Sequence, residues 1–141
     1  MSEACCTADG QIMILACSGG SNVGQLSNQV AVELTQEGFG QMYCLAGIGG
    51  KLSAFVQSAK DAPGMLVLDG CPVGCAKAIF RETDLVLRNY LVITELDVEK
   101  NHELTPKHQE VDRIKAYIRR IFAGQPLPLA AAGAKGCGCC G

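Results

Sequence analysis

With 141 residues, 48% of them hydrophobic, the chain suits one domain with a substantial core. A formal net charge of -2 without any Lys/Arg block argues against nucleic acid or an anionic membrane surface as the main partner, and no apolar run approaches the roughly 20 residues of a bilayer-spanning helix. Nine cysteines, an odd number, with Glu3 and no Lys or Arg ahead of a short apolar run, favour a reducing cytoplasm and free or metal-bound thiols over a secreted disulfide framework.

Residues 1–10 read as a flexible polar leader carrying Cys5 and Cys6. From 11 to 123 short apolar runs alternate with amphipathic stretches, the pattern of repeated strand–helix units and a parallel sheet covered on both faces. The first unit is a strand over 11–17, a Gly/Ser/Asn loop over 18–24 and a helix from about 25 to 37, with Val30, Ala31 and Leu34 inward and Gly38 as its stop. The second is a strand over 40–45, a loop over 46–50 and a helix around 51–60 ended by Asp61-Ala-Pro-Gly64. The third starts with Met65-Leu-Val-Leu68, turns at Asp69-Gly-Cys-Pro and enters a helix over roughly 73–82.

Tyr90-Leu-Val-Ile-Thr94 is a fourth strand. Thr105 and Pro106 offer an N-cap and a first-turn proline for a last helix, striped by Val111, Ile114, Ile118 and Ile121. Residues 124–141 change character: a Pro/Ala/Gly tether ends in Cys137-Gly-Cys-Cys-Gly141. Right-handed crossovers then give an α/β three-layer sandwich with a four-stranded parallel sheet in the flavodoxin-like order 2-1-3-4 and helices on both faces.

That topology sets Cys17, Cys44 and Cys71 at the carboxyl ends of three strands, the edge where open α/β sheets place their ligands, and Cys75 close behind Cys71. Neighbouring strands are about 4.8 Å apart, so the backbones at Cys44 and Cys71 start roughly 10 Å apart. Thiolates sharing one tetrahedral zinc need sulfurs within roughly 4 Å of one another, so the glycine-rich loops must close that gap. With Pro72 at a first helical position, Cys71 and Cys75 would share a face at a helix N-terminus, whose partial positive charge favours thiolate.

Asp69 would orient a ligand from outside the coordination sphere, or cap the turn. Ser18, Gly19, Gly20, Ser21 and Asn22 read as an anion-binding loop or as a tight strand-to-helix connection. Taken singly, any of these cysteines is more often a small buried hydrophobe than a ligand, and for Cys44 the two readings stand level.

Three segments, Cys17-Ser-Gly-Gly-Ser-Asn-Val-Gly-Gln25, Met42-Tyr-Cys-Leu-Ala-Gly-Ile-Gly49 and Leu68-Asp-Gly-Cys-Pro-Val-Gly-Cys-Ala76, together resemble the DGC-domain proteins, a small bacterial and archaeal family named for its Asp-Gly-Cys triplet. The resemblance spans roughly residues 11–122 and implies that Cys17, Cys44, Cys71 and Cys75 are zinc ligands. It implies a site more than a reaction, and extends neither to Cys5 and Cys6 nor to the tail.

The leading expectation is a metal-binding protein that holds zinc, or another soft ion, through those four cysteines. A closed four-thiolate zinc site does no hydrolysis. The alternative is a thiol enzyme in which Cys17 or Cys71 attacks a disulfide, persulfide or oxyanion and a nearby cysteine resolves the adduct. The Cys17 loop resembles that of low-molecular-weight phosphatases and arsenate reductases, but these need an Arg six positions on, where this chain has Val23. Nucleotide binding is disfavoured because neither the P-loop ending nor a Gly-x-Gly-x-x-Gly fingerprint is present. Cys137, Cys139 and Cys140 could capture a soft ion and pass it inward, could equally take part in thiol exchange, or be an end without function. His102 and His108 fall in a polar stretch away from the thiol edge and are expected on the surface.

Overall fold

Each of the central strands is apolar on both of its faces, and burying both requires a helical layer above and below. The computed structural model, which describes residues 12–123, has that arrangement. Strands β1 (Ile12–Ala16), β2 (Gly40–Met42), β3 (Gly64–Asp69) and β4 (Tyr90–Val92) form one parallel sheet in the order β2-β1-β3-β4. The central pairing is the longest, running from Ile12 opposite Gly64 to Ala16 opposite Leu68. The leader over 1–10 and the tether and tail over 124–141 lie outside the described residues.

Alternate residues of β1 feed two cores. Ile14 and Ala16 pack with Val23, Leu26, Val30 and Leu34 of helix α1 (Asn22–Gln36) and with Val111, Ile114 and Ile118 of helix α5 (His108–Phe122). Met13 and Leu15 face the other way, into Ile48, Ala59, Ala76 and Phe80 from helices α2 (Leu45–Gly49), α3 (Ser53–Asp61) and α4 (Cys75–Glu82). The expected apolar stripe of the last helix is present, with Tyr117 joining its buried members.

Several boundaries differ from the sequence reading. Helix α1 starts at Asn22, earlier than expected, because Ser21 is in extended backbone at φ -152° and its hydroxyl accepts the Gly24 N–H at 3.2 Å, ending the loop there. Strand β2 stops at Met42, and the stretch 46–50 read as a loop belongs largely to α2. Strand β4 stops at Val92 and gives way to a 3-10 turn, Ile93–Leu96, that closes on Asp97 at φ +58°. The last helix is entered from Lys107, so Thr105 and Pro106 precede it without capping it.

The first turn of α1 lies hard against the end of β3. A β-carbon at Gly70 would stand 2.7 Å from the Gly24 nitrogen and 2.7 Å from the Val23 carbonyl carbon. Backbone cannot yield as a side chain can, so Gly70→Ala is expected to cost about 2–3 kcal/mol in denaturant unfolding by pushing α1 off the strand end.

On the same side of the sheet, α1 and α5 are joined by Lys115, whose ammonium lies 2.8 Å from Glu33 and 2.9 Å from Glu37. Its hydrogen bonds hold both carboxyls below their usual value of 4.5. A lowered folded-state pKa stabilises above the unfolded value and is lost as pH falls through the folded one. Lys115→Met should therefore flatten the loss of stability below about pH 4.5 seen in acid titrations of the melting temperature.

Candidate metal centre

All four sequence-predicted cysteines lie at the carboxyl ends of β1, β2 and β3. Cys17 follows β1 directly, tied to β3 by its N–H to the Leu68 carbonyl at 2.9 Å, while its own carbonyl accepts the Ser27 hydroxyl. Its sulfur is turned toward Gly19, where a β-carbon would come within 3.5 Å of it. Cys71 is half-buried two residues beyond β3. Cys75 is the first residue of α4, and Cys44 is the residue before α2; both are exposed.

Cys75 lies close enough to Cys17 and Cys71 for both to oppose ionisation of its thiol. Cys71 and Cys75 belong to one turn, and the crossover from β1 to β3 brings Cys17 beside it. As the side chains stand, no group of three or more His, Cys, Asp or Glu among the described residues is arranged to hold a metal ion.

The link from Cys71 to Cys75 is a turn, where the sequence suggested a shared helical face. Gly74 sits in the left-handed region at φ +70°, its N–H donates to the Cys71 carbonyl at 3.1 Å, and the helix begins only afterwards. Pro72 is therefore a turn residue. The expected helix-terminus stabilisation of thiolate fails at Cys75, whose thiol is pushed up, first by desolvation of the sulfur and then by the Cys17 and Asp69 charges. Thiols that oppose one another's ionisation in this way suit a cation, whose charge would offset the repulsion. The donor set is sulfur, which fits a soft ion.

Asp69 is 1% exposed and fully engaged. Its Oδ1 accepts the Ala76 N–H at 2.9 Å; its Oδ2 accepts the Lys77 N–H at 3.1 Å and the Tyr90 hydroxyl at 2.7 Å. Of the two roles the sequence left open, it caps the turn into α4. Burial and then the Asp69 hydrogen bond hold the Tyr90 phenol far above its ordinary range, so it remains a donor.

Sequence reasoning did not find Tyr90, Glu95 or Lys100. Lys100 donates from Nζ to Cys71 Sγ at 3.4 Å across 29 residues of chain. Glu95 Oε2 is buried and, among the described residues, has no hydrogen-bond partner; its carboxylate acts on Tyr90. None of these has a local signal, because each depends on where the segment after β4 lands.

The proposed anion loop is largely committed to internal bonds. The Ser21 N–H goes to the Gly19 carbonyl at 2.9 Å, the Asn22 N–H to the Asn101 carbonyl at 3.1 Å and the Gly24 N–H to Ser21 Oγ at 3.2 Å. Ser18, Gly19 and Gly20 are exposed, with the Ser18 and Gly19 carbonyls accepting from Gln25. His102 and His108 are exposed, as expected.

The profile of the DGC domain matches residues 13–118, which takes in all four cysteines and the Asp69-Gly-Cys triplet. The chain belongs to the DGC-domain family. It is 32% identical over 110 residues to the anaerobic and virulence modulator AnvM of Pseudomonas aeruginosa, an alignment covering 78% of this DGC chain and 84% of the relative. No solved structure matches it. Among the described residues no helix is long and apolar enough to cross a membrane.

Proposed function

We propose that this DGC-domain protein binds a soft metal ion, zinc first, through Cys17, Cys44, Cys71 and Cys75. The observation that supports the reading best is the approach of Cys17, Cys71 and Cys75, half-buried or exposed thiols drawn from distant segments to one sheet edge. Cys75 lies beside both Cys17 and Cys71 near solvent, and Cys71 also packs against the hydrophobic core on its other side. Cys44 lies two residues beyond the end of the neighbouring strand β2, on the same edge, and would serve as fourth ligand. The name of the related AnvM, a modulator, favours sensing over storage. A reducing cytoplasm would keep the thiols available, and the tail cysteines 137, 139 and 140 would deliver or remove the ion by ligand exchange.

The test is metal analysis of protein purified without added metal, with free thiols counted before and after chelation. About one zinc per chain, with four thiols protected until the chelator acts, is the expected result. Absence of metal under reducing conditions, with all thiols freely reactive, would remove the reading.

One contact favours a second reading, nucleophilic thiol chemistry at Cys71: the Lys100 ammonium at 3.4 Å from its sulfur. A single thiol that reacts with a disulfide probe far faster than the rest, in metal-free protein, is the outcome that reading requires.

A further inference from the structure

We infer that Asn22 and Lys100 form a positioning pair that holds an ammonium group against the Cys71 sulfur and so sets how tightly this site keeps its ion; the inference rests on the thiolate-site reading above. It starts from charge. Four thiolates around a divalent ion leave a net charge of about -2, and the buried acid closest in sequence, Asp69, adds to it without being a ligand. A nearby cation would offset part of that charge, and Lys100 Nζ lies 3.4 Å from Cys71 Sγ.

An exposed lysine on an irregular segment would ordinarily contribute little, since ordering its side chain costs entropy. Here the backbone on either side of Lys100 is pinned. The Asn22 side chain donates from Nδ2 to the Glu99 carbonyl at 2.8 Å and accepts the Asn101 N–H on Oδ1 at 2.6 Å. The Asn22 N–H donates to the Asn101 carbonyl at 3.1 Å. Asn22 is itself 7% exposed, at the start of α1 and beside the Gly24–Gly70 contact. Three hydrogen bonds from one buried residue thus present the residue between 99 and 101 to the thiol edge.

An ammonium N–H donated to a coordinating sulfur lowers the sulfur's charge density, which discourages protonation of the bound thiolate and attack on it by electrophiles. Groups that orient or tune metal ligands in this way typically change affinity by 10–100-fold when removed; for an exposed lysine the low end, about tenfold, is expected.

The experiment is competition of zinc against a chromogenic chelator in low salt, with wild type, Lys100→Met, Lys100→Arg, Asn22→Ala and the Asn22→Ala/Lys100→Met double variant. Lys100→Met should bind zinc about tenfold more weakly and release it faster to iodoacetamide, and Lys100→Arg should recover most of the loss. Asn22→Ala should weaken binding to a similar extent, and the double variant no further than the weaker single, because both act through one contact. Raising sodium nitrate from about 0.05 to about 1 M should shrink the Lys100→Met deficit, a response that a purely structural role would not give.

Equal zinc affinity of wild type and Lys100→Met in low salt overturns the inference and leaves the metal reading intact, as does full additivity of the two changes. Wild type without zinc removes both. Should Asn22→Ala unfold, the Lys100 variants and the salt series decide the matter.

Discussion

Asp69→Ala is expected to lower unfolding stability by about 3 kcal/mol, the largest effect of any single change near the thiol edge. The carboxylate satisfies two N–H groups at the start of α4 and the Tyr90 hydroxyl, all in a buried setting. Losing an N-cap costs about 1 kcal/mol, and leaving buried donors without an acceptor costs roughly 1–3 kcal/mol more. Asn at this position restores the volume but presents an amide hydrogen to groups that are all donors, so Asp69→Asn should recover only part of the loss. Tyr90→Phe removes one of the three bonds and should cost about 1 kcal/mol. Denaturant unfolding of the three variants, with unchanged slopes, is the measurement. A stability for Asp69→Ala within about 0.5 kcal/mol of wild type would mean that the capping geometry is not what holds α4 to the sheet. Since Cys71 and Cys75 flank the turn this cap secures, the same variant should also hold metal less well.

Cys75→Ser should weaken zinc retention by about a hundredfold. Structural zinc sites bind with roughly 10–16 kcal/mol in total, about 3 kcal/mol for each of four ligands, and a serine hydroxyl does not ionise to replace a thiolate. Cys17→Ser and Cys71→Ser should match it. Cys44→Ser carries the most information, because Cys44 is exposed and is not among the groups that act on the Cys75 thiol. A loss equal to the others supports four sulfur ligands, and retention at the wild-type level would leave a three-sulfur centre. The measurement is residual metal per chain after a fixed exposure to chelator, with a thiol count on the same samples. Full retention by Cys75→Ser would remove Cys75 from the ligand set.

The strand order was legible because it follows from local rules. Four short apolar runs separated by amphipathic stretches must be parallel, right-handed crossovers leave few arrangements, and 2-1-3-4 is the simplest. The same rules put Cys17, Cys44 and Cys71 on one edge. Boundaries were less legible where a side chain or a left-handed residue intervened. Ser21 started α1 early through its own hydroxyl, and Gly74 broke what looked like one helical turn from Cys71 to Cys75. Periodicity does not report a φ of +70°, so a turn and a helix start look alike in this stretch.

The sequence by itself determined the layered α/β architecture, the sheet order and the candidate sulfur positions, because apolar alternation and strand-end glycines are encoded within each segment. Only the tertiary structure decided that Asp69 is consumed as a cap, that burial and then the neighbouring Cys17 and Asp69 push the Cys75 thiol up, and that Lys100 reaches Cys71 under the hold of Asn22. The physical reason is range. Hydrogen bonds and charges act over a few ångströms of space, and residues 79 positions apart along the chain, as Asn22 and Asn101 are, meet only after the hydrophobic cores have closed around the sheet.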